Sequence, residues 1–413
     1  MAVLRAFKAI RPIKDLAHKV AALPYDVLNS EEAKAIASNN PYSFLHIDKA
    51  EIDFQEDIYI YDKRVYEKAR DNLNDFIKKG IFIEENKPCL YLYRLTMEGR
   101  SQIGIVGCTS IDDYLNNIIK KHEHTRQDKE EDRINHVDYC NANTGPIFLT
   151  YKDNEEINDI VDKWTKKSPL YDFTSDDNIK HTVWVIDDDT TICKLIDLFS
   201  KINNIYIADG HHRAASAVKV GLKRRSENAN YNKDAEFNYF LSVLFPSSHL
   251  YIMDYNRVVK DLNGLSIDEF LNMVTGKFYI TLYEKSEPFK PQEKHTFGMY
   301  INNKWFILKA KEGTFDESNP IEKLDVSILQ NNLLRPILGI DDPRTSDRID
   351  FIGGIRGLKE LEKKANKFNG VAFSMYPTTI DDLMDIADVG EVMPPKSTWF
   401  EPKLRSGLFI HKL

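Results

Sequence analysis

The run Asp209-Gly210-His211-His212-Arg213 places a carboxylate, two imidazoles and a guanidinium around one glycine. Ahead of it, Ile205-Tyr206-Ile207-Ala208 has the composition of a buried strand. Behind it, Ala214, Ala215, Ala217 and Val218 continue as a helix of high propensity. The run therefore falls at a strand-to-helix turn, where Gly210 permits the reversal. Unpaired N–H groups and the positive end of the helix dipole favour an anion there, and a planar arginine fork grips two phosphate oxygens. Gly210, His211, His212 and Arg213 are accordingly the expected phosphate contacts. Asp209 is an expected catalytic carboxylate and the candidate metal ligand. The competing reading is an ordinary turn whose His and Arg side chains are solvated.

A second run, KHEHTRQDKEEDR at 121–133, carries His122, Glu123 and His124. Two histidines two apart could share a metal from a strand, but the H-E-x-x-H pattern of zinc proteases is missing. By composition the run reads as a solvated helix face laced with ion pairs. His122 is a candidate ligand contact, and Arg126 or Arg133 is a cation available to a phosphate. Asp26, in the PYDV segment, either contacts magnesium or substrate or caps its own turn. Toward the C-terminus Gly390 stands at Walker A distance before Lys396-Ser397. Pro395 takes the place of the second glycine, however, and offers no N–H, so this is not a P-loop. Lys396 and Ser397 remain candidate ligand contacts, against a packed tail anchored by Trp399 and Phe400. Gly353-Gly354 and Gly357 lack the spacing of a dinucleotide fingerprint and read as a close-packing turn.

Four segments, PYDV at 24–27, the 121–133 run, ADGHHR at 208–213 and MPPKSTWFEPKLRSGL at 393–408, resemble the DUF1015 family, also described as ParB-like. The His122-Glu123 pair followed by DGHHR is similar to the ParB-like free serine kinases, and ParB proteins and sulfiredoxins carry related G-x-x-R turns. The resemblance implies a ParB/sulfiredoxin-like nucleotide-binding core in which the turn holds phosphates with magnesium and Glu123 acts on the acceptor hydroxyl. The implied nucleotide is ATP or ADP, and the implied acceptor is a small hydroxyl compound such as free serine. The stretch between Glu123 and Asp209 includes an insertion that the compact kinases lack. The alternative is a ParB-like nucleotide switch without transfer, which calls for a basic helix-turn-helix that the sequence does not display.

The rest of the chain must position these groups. Its 413 residues, 42% of them hydrophobic, fill two or three domains. The expected regions are 1–99, a nucleotide-binding core over 100–256, and 257–413. A net charge of -8 argues against a broad nucleic-acid surface. Cys89, Cys108, Cys140 and Cys193 form no C-x-x-C pair and read as reduced thiols, and no apolar run reaches membrane length, so a cytoplasmic location is expected. The fold class expected from alternating strands and helices is α/β or α+β. Individual expectations are a strand from Val3 to Ile10, helices over 15–22 and 62–79, and an N-cap at Ser30. LYLYRLTM and QIGIVGCTS should pair, 114–140 should be helical with a break near His122-Glu123, and 144–151 should be a strand. In the last region a hairpin should turn at Asn302-Asn303 and 324–334 should be helical.

Overall fold

Leu90–Met97 and Arg100–Ser110 are rich in β-branched and aromatic residues, and Glu98 and Gly99 both take positive φ, the geometry that folds two strands into a tight hairpin. This expected pair is the middle of a mixed nine-stranded sheet in a computed structural model that describes residues 1–56, 58–228 and 230–413. The strands are β1 (Leu4–Arg5), β2 (Leu90–Met97), β3 (Arg100–Ser110), β4 (Ile119–Lys120), β5 (Ile147–Tyr151), β6 (Tyr171–Thr174), β7 (Lys180–Ile186), β8 (Ile205–Asp209) and β9 (Tyr239–Pro246). Their order is β4-β8-β5-β9-β3-β2-β7-β6, with β1 also paired to β3. Only β4 on β8 and β5 on β9 run parallel. The protein is thus a mixed α/β fold in which β8 is second from the edge of the sheet, between β4 and β5.

Several helices of this unit position the groups of interest: α1 (Ser30–Ala37), α2 (Leu45–Asp48), α3 (Lys63–Lys78), α4 (Gln127–Cys140) and α5 (His211–Glu227). In α3, Val65, Ala69, Leu73 and Phe76 recur at helical spacing and are buried, as expected, with Asp62 capping the start. The cap of α1 is Asn29 and not Ser30. Asn29 and Glu32 exchange both bonds of a capping box, while the Ser30 hydroxyl donates to Glu51 at 2.8 Å. The expected Val3–Ile10 strand is broken. β1 joins the large sheet, and Ile10–Pro12 pairs separately with Phe82–Glu84. The 15–22 helix shrinks to one 3-10 turn and Ala17–Val20. Residues 114–140 hold the tail of a short helix, β4, a connection and α4, so His122-Glu123 is in the connection and not on a helix face.

The chain divides into Met1–Leu250 with Pro402–Leu413, and Tyr251–Glu401. Residues 1–99 and 100–250 meet inside the first unit through the β2–β3 hairpin, residues 251–256 fall in the second unit, and the last twelve residues return to the first. There His411–Lys412 pairs with Ala142–Asn143.

The second unit is a six-stranded sheet made of β10 (Tyr255–Val259), β11 (Phe278–Tyr283), β12 (Thr296–Ile301), β13 (Lys304–Ala310), β14 (Ile349–Gly353) and β15 (Val371–Ser374). Asn302 and Asn303 take positive φ between β12 and β13, the turn that their types announce. The expected 324–334 helix starts at Asp325, and its second half has π geometry. The glycine pair is the close-packing turn expected, since a Cβ on Gly353 would meet the Trp399 ring at 2.9 Å and one on Gly354 would meet Asp254 at 2.6 Å.

Candidate functional site

β8 delivers the DGHHR run from the sheet interior: Ile205, Tyr206, Ile207 and Ala208 are all buried. Gly210 has φ 94°, where an L side chain is strained, and a Cβ there would also lie 3.1 Å from the Arg213 guanidinium. The first bond of α5 runs from the Ala214 N–H to the Gly210 carbonyl at 2.9 Å. The N–H groups of the preceding turn therefore have no acceptor within the helix.

Asp209 accepts the Gly210 N–H at 2.9 Å with one oxygen, and its other oxygen lies 3.1 Å from Lys403 Nζ. Burial works to raise the Asp209 carboxyl, but Lys403 and Arg213 outweigh it and hold the group well below the usual carboxylate range. Lys403 was not among the expected site residues. Arg213 is folded over Gly210; its Nη1 donates to the Pro146 carbonyl, and its buried Nε has no hydrogen-bond partner. One arm of the expected phosphate fork is thus on the backbone.

Glu123 is more than half exposed, and its Oε2 sits 3.7 Å from Nδ1 of buried His211, beyond hydrogen-bond length. Burial, reinforced by His122, pushes His211 well below the usual histidine range, so this approach involves a neutral ring. His122 is buried too, pushed down to about 4 mainly by burial, and its ring meets His211 edge to face at 4.4 Å. His212 accepts the Arg126 N–H at 3.0 Å and so pins the 122–126 connection to the start of α5. The Arg126 guanidinium itself pairs with Asp128 at 2.8 Å.

Asp26 is exposed and lines a cavity of about 280 Å³ walled by residues from the PYDV turn and from α2, α3 and α4. Its turn is closed by the Val27 N–H on the Pro24 carbonyl at 3.2 Å. Arg133 is buried on the same wall, paired with Asp132 at 2.8 Å and stacked 4.0 Å over the Tyr25 ring. Lys396 and Ser397 belong to the second unit and are engaged there. Lys396 Nζ lies 5.8 Å over Tyr255, and the buried Ser397 hydroxyl donates to Pro394 at 2.6 Å.

The first unit therefore gathers Asp209 to Arg213, His122, Glu123, Arg126 and Asp26, and adds Lys403. Two residues further on, Arg405 is buried against Asp177, Ser175 and His181. Burial, then Arg405, drives His181 down to about 3, which keeps the ring neutral beside the Arg405 Nε–H, 3.3 Å from His181 Nε2. The signal in the sequence was Lys403-Leu404-Arg405, two cations flanking an apolar residue.

A family model described as "Protein of unknown function (DUF1015)" matches residues 4–327. The chain belongs to the DUF1015 family. The match takes in PYDV, the 121–133 run and ADGHHR of this DUF1015 chain and ends before Lys403. A comparison with curated proteins finds no match. Among solved structures, the DUF1015 chain is similar to a free serine kinase mutant in complex with AMP, at 15% identity and a TM-score of 0.38, covering 74% of this chain and 92% of that one. It is also similar to a conserved hypothetical protein from Pyrococcus furiosus, at 16% identity and a TM-score of 0.36, with 74% and 94% covered. SbnI from Staphylococcus aureus, truncated at its C-terminus, follows at 11% identity and a TM-score of 0.37, with 74% and 86% covered.

Proposed function

We propose that this protein is a phosphotransferase that moves a phosphoryl group from ATP or ADP to the hydroxyl of a small compound, with free serine the first acceptor to test. The observation that carries the reading is the approach of Glu123 to within 3.7 Å of His211 at the first turn of α5. It sets an exposed carboxylate beside a helix start rich in anion-binding groups. The N–H groups of that turn and Arg213 hold the phosphates. Glu123 takes the acceptor proton as the acceptor oxygen bonds to the terminal phosphorus and the bridging P–O bond breaks, leaving the nucleotide one phosphoryl shorter. Catalysis of this kind comes mainly from alignment and charge neutralisation. Asp209 organises the turn by holding Gly210 and Lys403. Both of its oxygens already face donors, which does not suit a metal ligand, so magnesium arrives on the phosphates as part of the donor substrate.

Glu123→Gln keeps the shape and removes the base. With labelled ATP or ADP, magnesium and a panel of hydroxyl compounds including serine, the wild type is expected to form product. The variant should lose at least a hundredfold in rate while nucleotide affinity stays within about twofold. A wild type that binds nucleotide tightly and phosphorylates nothing in the panel would replace this reading with a ParB-like nucleotide switch.

A further inference from the structure

The second unit carries a guanidinium into its interior without a counter-charge. Arg257 stands midway along β10, opposite Phe351 on β14 and Phe373 on β15, and is 3% exposed. A cation buried to that degree is ordinarily paired with a carboxylate, because an uncompensated charge is weakly screened there. Among the described residues Arg257 forms no ion pair. Its Nη1 donates to the Tyr255 carbonyl and its Nη2 to the Lys396 carbonyl at 3.1 Å, and its other N–H groups have no acceptor among the described residues. The guanidinium lies 5.4 Å over the Phe351 ring. Burial pushes Arg257 down to about 10, and only the Tyr255 side chain opposes that shift.

Carboxylates on the neighbouring segments are committed elsewhere. Asp254 accepts the Asn256 amide, Asp350 faces Lys260 at 3.6 Å and Lys364 at 3.3 Å, and Glu401 accepts the Trp399 indole N–H at 2.8 Å. Lys396 instead supplies a second cation. Tyr255 and Arg257, two apart on one strand, point to the same face of the sheet, and Lys396 Nζ lies 5.8 Å over the Tyr255 ring. Lys396 is exposed and forms no ion pair among the described residues. The Tyr255 ring also meets Phe351 at 6.0 Å and Trp399 at 5.2 Å, both edge to face. The Ser397 hydroxyl, spent on Pro394, takes no part.

We infer that this face of the second unit binds an anionic group, a carboxylate or a phosphate, between Arg257 and Lys396, on a ligand whose remaining part is flat and apolar. The uncommitted N–H groups of Arg257 suit the oxygens of either group, and the anion supplies the counter-charge that β10 lacks. The rings of Tyr255 and Phe351 offer the apolar part a surface. All of these residues lie within Tyr251–Glu401, so the inference is independent of the phosphotransferase reading, whose groups belong to the first unit.

Calorimetry on the full chain would titrate benzoate and phenyl phosphate, with benzyl alcohol as the uncharged control and acetate and inorganic phosphate as the bare groups. At least one aromatic anion should bind tenfold more tightly than benzyl alcohol and than its own bare group, and which one does so identifies the group as carboxylate or phosphate. Arg257→Met should remove that binding. Lys396→Gln, at an exposed position, should weaken it about fivefold without changing the melting temperature. Melting also separates a ligand site from a structural arginine. In anion-free buffer Arg257→Met exchanges an unpaired buried cation for an apolar chain of similar length, so it should melt no lower than the wild type, and the anion should raise the wild type alone. A variant that melts several degrees lower, with no anion response in the wild type, would make Arg257 a clasp for the Lys396 carbonyl and overturn the inference. So would binding of none of the anions, or binding that survives Arg257→Met and disappears in Arg213→Met, which places the anion at the DGHHR turn.

Discussion

Lys403 changes how the DGHHR turn is understood. From its neighbours in sequence, Asp209 is a free carboxylate at the mouth of a phosphate site; in the fold it is the anchor for a lysine nearly two hundred residues away. Both side chains are under a third exposed, so removing the cation leaves a poorly solvated charge, which costs on the order of 3 kcal/mol. Lys403→Met is therefore expected to lower the urea midpoint at pH 7. The pH dependence has a definite sign. Asp209 is depressed in the folded state, so its contribution is complete above the unfolded carboxylate value near 4 and is lost as pH falls below it. The gap between wild type and variant should be widest at pH 7 and narrow toward pH 3. A gap that is constant with pH would show that Lys403 acts through packing and not through Asp209.

At the scale of elements, the β8–turn–α5 unit is a local structure that the rest of the protein orients. Gly210 makes the sharp exit from the strand, and it also leaves room for Arg213 to lie back across it. Gly210→Ala should cost about 1 to 2 kcal/mol from backbone strain alone, a fall in melting temperature of roughly 2 to 8 °C. Since the new methyl meets the guanidinium at 3.1 Å, nucleotide affinity should drop at least tenfold as well. A variant with reduced stability and normal affinity would separate the turn from phosphate binding. The 122–126 connection is the complementary element. It reaches the turn because β4 pairs in parallel with β8, which sets Lys120 opposite Tyr206 and carries the chain on toward the start of α5.

On the scale of the whole molecule, residues 402–413 belong to the first unit although the second intervenes in sequence. Leu404, Leu408, Phe409 and Ile410 are buried there, and His411–Lys412 closes a strand pair with Ala142–Asn143. Each of the four apolar side chains contributes about 1.5 to 3 kcal/mol by burial, a sum comparable with the whole stability of a typical domain. A chain ending at Glu401 is expected to lose the cooperative unfolding transition of the first unit in calorimetry. If that transition survived with an unchanged midpoint, the tail would be an accessory and not a structural part of the site.

What the sequence determined by itself was local. The strand–glycine–helix character of 205–218, the periodic apolar face of α3, the β2–β3 pair and the Asn302-Asn303 turn follow from short-range propensity and from steric limits on φ. Those act over a few residues and need no partner. The 114–140 segment reads as a longer helix because its charges are spaced for one, yet pairing with β8 draws Ile119–Lys120 into the sheet. Asn29 is the cap in place of Ser30 because its side-chain oxygen accepts the Glu32 N–H while the Glu32 carboxylate accepts the Asn29 N–H. The site divides in the same way. DGHHR and Glu123 are legible as residue types, but their approach and the Asp209–Lys403 pair depend on long-range sheet order and on the return of the tail. Burial then sets the charge states, leaving His122, His211 and His181 neutral and Asp209 ionised, because the cost of a buried charge depends on which partner the fold brings to it.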